Sequence, residues 1–166
     1  MFETSAASLT PDYPMLARQL ASLLEGERDL TANAAQFSAF INDSVADLNW
    51  AGFYFLRPAR RHDGQELLLG PFQGKVACYR IPIGRGVCGT AIAEKRTMLV
   101  PDVHAFPGHI ACDSASNAEI VIPLMQNGAP VGVFDIDSPT LNRFNDTDQQ
   151  GLEALVKVFL DCTDLN

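Results

Sequence analysis

An α+β domain with a mainly antiparallel sheet is the architecture this chain predicts, and three observations carry it. Apolar residues recur every three or four positions in the first fifty residues and again near the C-terminus, the period of amphipathic helices. Between them lie short aromatic and β-branched runs bounded by Gly, Pro, Asn and Asp, as strands and turns are. One Asn-Gly pair, Asn127-Gly128, separates two such runs where a tight hairpin requires positive φ.

Taken in order, Leu16, Leu20 and Leu23 form the apolar stripe of a helix from Tyr13 to Leu24, with Gly26 as its stop. A second helix begins near Asp29 or Thr31, and Leu30, Ala34, Phe37, Ile41, Val45 and Leu48 line one side of it. Strands are expected at Trp50–Leu56, Glu66–Leu69 and Lys75–Ile83. Gly84-Arg85-Gly86 then breaks the pattern before a short helix over Val87–Lys95 with Cys88 in its first turn. A brief strand at Thr97–Val100 ends at Pro101, and the stretch to Asn117 is a loop longer than ordinary connections. Glu119–Met125 and Val131–Asp137 are the hairpin strands around Gln126-Asn127-Gly128-Ala129. The closing helix, Asp146–Leu160, takes Asp146 as its expected N-cap with Gln149 three positions on. This order packs helices on one face of the sheet and leaves a pocket on the other, under the short helix and the long loop. Residues 1–12 read as a tail and 13–162 as a single domain.

At 166 residues the chain can bury roughly two thirds of its unfolded surface in one core, so no disulfide or metal is needed for folding. The N-terminus lacks a basic region followed by an apolar one, and no apolar run reaches about 18 residues. A cytoplasmic protein is the expectation. Four cysteines in a reducing compartment are free, catalytic or metal-bound more often than structural. No C-x-x-C pair is present, which weighs against zinc-ribbon and thioredoxin readings. A net charge of −8 disfavours nucleic acid and anionic membranes. The basic cluster Arg57, Arg60, Arg61 and His62 lies beside the turn signal Asp63-Gly64 and reads as a solvated hairpin tip.

Cys112 stands out because it lies in a polar, acid-rich run, His109 to Glu119, with few apolar neighbours. Exposure of this kind favours thiol chemistry over packing. Asp135 and Asp137, two apart on a strand, share a face and raise each other's cost of ionisation. Glu119 opens the neighbouring strand and adds a third carboxylate. Trp50 and Tyr54, four apart, likewise share a face.

The segments Asn49-Trp50-Ala51-Gly52-Phe53-Tyr54, Gly84-Arg85-Gly86-Val87-Cys88-Gly89-Thr90-Ala91, Cys112-Asp113-Ser114-Ala115-Ser116 and Val131-Gly132-Val133-Phe134-Asp135-Ile136-Asp137-Ser138 closely resemble the free methionine-(R)-sulfoxide reductases, which are single GAF domains. The likeness runs from about Tyr13 to Phe159. It implies a GAF-like fold, with a six-stranded antiparallel sheet and a small-molecule pocket. It also implies an oxidoreductase that reduces free methionine-(R)-sulfoxide and binds no tight cofactor.

By resemblance, Cys112 is the nucleophile, and Cys78 and Cys88 are candidates to resolve it. Glu119, Asp135 and Asp137 take the polar end of the substrate, with proton delivery from this acidic patch. Trp50 with Tyr54 receives the methyl group, and Ser114 and Ser116 belong to the matched loop around the substrate. Cys78 is expected mid-strand as the first partner of Cys112. Cys88, at a helix start whose dipole favours a thiolate, is expected to exchange with an external dithiol such as thioredoxin.

Lowering a thiol from pKa 8.5 to about 7 takes roughly 2 kcal/mol, and backbone N–H groups of the Asp113–Asn117 turn are the expected source. The direction of the Asp113 carboxylate is open. Cys162 falls outside the pattern and reads as packing. Two readings compete. One is a non-catalytic GAF sensor of a small ligand, and the other is a metal site from His104, His109 and Cys112. A monomer and a homodimer are both compatible with the sequence.

Overall fold

Asp12 and Asp29 set the starts of the first two helices, each accepting a hydrogen bond from the backbone N–H three residues on, Met15 and Ala32, at 2.9 and 2.8 Å. In the computed structural model, which describes residues 7–110 and 112–165, these helices are α1 (Tyr13–Leu23) and α2 (Leu30–Ser44). There follow β1 (Trp50–Pro58), β2 (Gln65–Gly74), β3 (Arg80–Pro82), α3 (Gly86–Glu94), β4 (Met98–Val100), β5 (Ala118–Gln126), β6 (Ala129–Ser138) and α4 (Asp146–Cys162). The first six residues of the expected tail, and Ala111 of the long loop, lie outside the described residues. Ser8, within that tail, bridges to Val45 at the end of α2.

The strands form one sheet in the order β3-β2-β1-β6-β5-β4, with every neighbour antiparallel. Alternation along the strands divides the core in two. Ala51, Phe53 and Phe55 of β1, Ile120, Ile122 and Leu124 of β5, and Phe134 and Ile136 of β6 meet α1, α2 and α4 on one face. Phe37 of α2 is the centre of that layer, edge-on to Phe134 at 4.6 Å and tilted against Phe53 and Phe159 at 5.5 Å each. On the other face Trp50, Tyr54, Val121 and Val133 meet Val87, Ala91 and Ile92 of α3.

Three expected elements shift. Helix α2 ends at Ser44, with Val45 already extended, so Val45 and Leu48 of the expected stripe lie beyond it. The strand over Lys75–Ile83 divides: β2 extends to Gly74, residues 75–79 leave the ladder, and only Arg80–Pro82 pair again. Gly74 turns the chain at φ 131°. Beyond it, the carbonyls of Lys75 and Cys78 accept hydrogen bonds from Trp50 and Tyr54 side chains. The N-cap of α4 is Asn145 rather than Asp146. Asn145 is extended and exchanges hydrogen bonds with Asp148 in a capping box, both at 3.0 Å, leaving Asp146 and Gln149 inside the helix. Among the described residues no helix is long and apolar enough to cross a membrane.

Helices α1 and α4 meet where Gly151 faces the Tyr13 ring, and a Cβ built at Gly151 falls inside that ring. Tyr13 has no room to retreat, since its hydroxyl donates to Asp148 at 2.7 Å. Gly151→Ala should therefore destabilise the protein by about 1–3 kcal/mol from overpacking, against the gain of about 1 kcal/mol expected of Ala in a free helix. Urea unfolding checks this: a midpoint equal to or above that of the wild type would show that the contact yields.

Candidate active site

The floor of the site is fixed by strand register. Trp50 and Glu119 both pair with Asp137, on its two sides, and Gly52 and Val121 both pair with Asp135. One row across the sheet thus carries Trp50, Asp137 and Glu119, and Asp135 follows two residues along β6 on the same face. The indole of Trp50 lies over two glycines. A Cβ at Gly52 would come within 2.8 Å of Trp50 Cη2, and one at Gly74 within 2.6 Å of its Cδ1. Phe72 stacks on the indole at 5.2 Å and Tyr54 at 5.9 Å.

Helix α3 covers this floor with its first turn, bringing Cys88 beside Glu119 and Asp135. Two loops close the sides. Residues 75–79 are held by Trp50 Nε1, which donates to the Lys75 carbonyl at 3.1 Å, and by the Tyr54 hydroxyl, which donates to the Cys78 carbonyl at 2.9 Å. The loop before β5 is held by Asn49, whose Nδ2 donates to Asp113 Oδ2 at 3.2 Å and to Ser116 Oγ at 3.0 Å. Cys78 and Cys112 are joined by a disulfide with Cα atoms 5.9 Å apart. The resulting pocket is partly open to solvent and is lined from α3, the three central strands and both loops.

Burial dominates the electrostatics. Glu119, Asp135 and Asp137 are all pushed well above the usual carboxylate range, first by desolvation and then by one another's charge. Their protonated forms are thereby favoured in the folded protein. Asp135 Oδ1 is buried without a hydrogen-bond partner. The His109 imidazole is held below its ordinary pKa by burial, with Nε2 at 3.5 Å from Glu119.

Asp113 is the contrast. Its Oδ1 accepts from the Ala115 N–H at 2.9 Å, it also takes the Asn49 donor, and Lys75 stands 3.8 Å away. These partners hold it below the usual range, with the Ala115 hydrogen bond foremost. Its charge is therefore committed to its own loop and to Lys75.

Of the residues singled out in the sequence, Cys112, Cys78, Cys88, Glu119, Asp135, Asp137, Trp50, Tyr54 and Ser116 surround this one pocket. Ser114 is exposed and lies off its wall. Cys78 sits in the irregular 75–79 segment, not mid-strand. Cys88 departs most from expectation: it is only 4 % exposed, and burial, ahead of the charges of Asp135 and Glu119, pushes its thiol well above the ordinary range. Desolvation and two carboxylates outweigh the helix dipole, so Cys88 is not an outward-facing thiolate.

The turn amides expected to stabilise a thiolate are largely engaged. Ala115 bonds the Asp113 side chain, Ser116 the Asp113 carbonyl and Asn117 the Ser138 carbonyl. The three residues of the metal reading do not converge: His104 Nε2 faces Asn117 Oδ1 at 2.9 Å, His109 faces Glu119, and Cys112 is disulfide-bonded. Asn49, Gly52 and Gly74 received no role from sequence. Their signal was available only as adjacency to Trp50, as a glycine inside a predicted strand (Gly52) and as one just before another (Gly74).

A GAF domain family model matches residues 31–158. The free methionine-R-sulfoxide reductase of Escherichia coli is 50 % identical over 147 residues, 89 % of this chain and 86 % of that protein. The X-ray structure of free methionine-R-sulfoxide reductase from Neisseria meningitidis in complex with its substrate superposes with a TM-score of 0.87 at 41 % identity, covering 98 % of this chain and 94 % of that one. The reduced form of the Staphylococcus aureus fRMsr gives a TM-score of 0.86 at 46 % identity, covering 96 % and 99 %.

The buried acids make stability depend on pH in a defined sense. Their folded pKa values lie above the unfolded ones, so the folded chain keeps protons that the unfolded chain has released. Their contribution is fully present below the unfolded carboxylate range and is lost as pH rises through the raised folded values. Asp135→Asn removes one such group without changing its shape. The variant should gain stability relative to the wild type over a pH series that rises from the ordinary carboxylate range. Thermal midpoints across that series test it, and a gap that stays constant with pH would contradict the assignment.

Proposed function

Since the chain belongs to the GAF-domain family of free methionine-R-sulfoxide reductases, we propose that it reduces free L-methionine-(R)-sulfoxide to L-methionine in the cytoplasm. Its oxidised form is then restored by thioredoxin. The observation that carries this reading is the pairing of Cys78 with Cys112 at a pocket floored by three buried carboxylic acids. A dithiol that can close, beside acids that keep their protons, is what oxygen removal from a sulfoxide needs.

The reaction begins with Cys112 reduced. Its sulfur attacks the sulfoxide sulfur while a protonated acid, Asp137 with Glu119 beside it, hydrogen-bonds and protonates the sulfoxide oxygen. The substrate's sulfur–oxygen bond breaks as its oxygen passes to the cysteine sulfur, the transient sulfur–sulfur bond cleaves, methionine leaves, and Cys112 is left as a sulfenic acid. The Cys78 thiol then attacks Cys112, the new S–S bond forms, and the oxygen departs as water. Two electrons and two protons pass from the dithiol to the sulfoxide, giving methionine and water. An external dithiol reopens the disulfide by exchange.

Specificity follows from the same walls. The carboxylate that has lost its proton, with Asp135 nearest the unpartnered position, meets the substrate α-ammonium, which a peptide-bound methionine lacks. The stacked Trp50 and Tyr54 rings offer an apolar seat to the S-methyl group. Ser116, held by Asn49, keeps the Cys112 loop against Asp137. Cys88 stays a thiol inside the pocket, and Cys78 alone resolves.

The deciding assay combines reduced protein, free methionine sulfoxide and a thioredoxin system, with methionine release as the readout. Cys112→Ser should abolish even a single turnover. Cys78→Ser should give one methionine per chain and then recycle slowly. Asp137→Asn should lower the rate by about 10²-fold or more, the usual worth of a placed acid. A folded wild-type chain that releases no methionine would leave the sensor reading in its place, and a fully active Cys112→Ser would remove it as nucleophile.

A further inference from the structure

We infer that the Cys88 thiol and the Glu119 and Asp135 carboxylates form a binding site for one thiophilic divalent cation, zinc or its cobalt surrogate, inside the pocket and independent of the Cys78–Cys112 disulfide. One donor atom from each of the three residues lies within 4.8 Å of the others. They come from three elements, the first turn of α3, the start of β5 and the middle of β6, so the fold itself holds the set together.

A second observation points inward to a ligand. Asp135 is only 7 % exposed, yet its Oδ1 has no hydrogen-bond partner. A buried carboxylate oxygen left unsatisfied is costly, and a cation is one partner that would satisfy it. Zinc accepts sulfur at about 2.3 Å and carboxylate oxygen at about 2.0–2.2 Å, so its donors stand roughly 3.5 Å apart. Closing from 4.8 Å takes a movement of about 1 Å or less by each side chain.

The donor set also selects the ion. Calcium and magnesium require six or more oxygens, and one thiolate with two carboxylates does not supply them. Three protein ligands leave a fourth position facing the open side of the pocket, for water. His109, with Nε2 at 3.5 Å from Glu119, is placed to orient that carboxylate. On binding, the Cys88 thiol loses its proton to solvent and its sulfur becomes the ligand. The ion would occupy the acids assigned above to the substrate, so zinc would block turnover. That consequence rests on the proposed function, whereas binding does not.

The test uses the oxidised chain, in which Cys88 and Cys162 are the free cysteines. Cobalt titration should give one ion per chain, with the thiolate-to-cobalt charge-transfer band, and zinc should displace it. Cys88→Ser should lose the band, Asp135→Asn should weaken binding by at least about tenfold, and Cys162→Ser should change neither. Circular dichroism checks that each variant is folded. No uptake by the wild-type chain, or a band that persists in Cys88→Ser, overturns the site. If zinc binds as described but leaves methionine release by the reduced enzyme unchanged, the cation site stands and the placement of Glu119 and Asp135 against the substrate falls.

Discussion

Side-chain hydrogen bonds from the start of β1 hold the two cysteine-bearing loops where their sulfurs meet. Trp50 and Tyr54 donate to carbonyls on either end of the segment that carries Cys78. Asn49, one residue before the strand, donates to Asp113 and Ser116 in the segment that carries Cys112. Each of these bonds lies partly out of water, where an unmet donor or acceptor costs more than the bond is worth when made. Because all three donors lie within six consecutive residues at the start of a strand paired on both sides, Asn49 immediately before it, the loops inherit the precision of the sheet. The 5.9 Å Cα separation across a sequence gap of 34 residues is therefore a property of β1 as much as of either loop.

The same strand explains the acid cluster. Antiparallel pairing sets Asp137 between Trp50 and Glu119, and α3 closes over Asp135 with Cys88. Three carboxyl groups in one buried patch oppose folding whenever they ionise, and they are retained where packing residues would be more stable. That balance is characteristic of a site whose chemistry requires protons held at neutral pH. Asp113, a short distance away on a loop, shows the alternative outcome for a carboxylate given an amide, an Asn and a Lys as partners. Acids of the same chain thus titrate in opposite directions because the loop supplies enough donors to outweigh burial, whereas in the pocket desolvation and like charge outweigh the few donors present.

Much of this was readable from residue order. The stripes Leu16–Leu20 and Ala34–Phe37–Ile41 gave helices close to their observed limits, and Asp135 with Asp137 could be assigned to one face from their spacing alone. The resemblance in the four quoted segments supplied the family and the expected sheet. The fate of residues 75–79 was hidden, because an alternating apolar segment reads as a strand unless one knows that aromatic side chains take up its carbonyls. Cys88 was misread for a related reason: a helix start predicts a stabilised thiolate only when it faces water, and burial is not a local property. The seat of Trp50 over Gly52 and Gly74 was equally out of reach, since it joins residues from two strands.

What the sequence determined by itself, then, was most of what has a period: helices from a 3.6-residue stripe, strand faces from alternation, the hairpin from Asn127-Gly128, and the membership of the chain in its family from motifs read in order. Only the tertiary structure decided which cysteine faces Cys112, which amides are already engaged, and which acids lose contact with water. Those depend on distances between residues far apart in the chain, and on the exclusion of solvent by elements that meet only after folding. Desolvation and cross-chain proximity act through space, so no local pattern of residues encodes them.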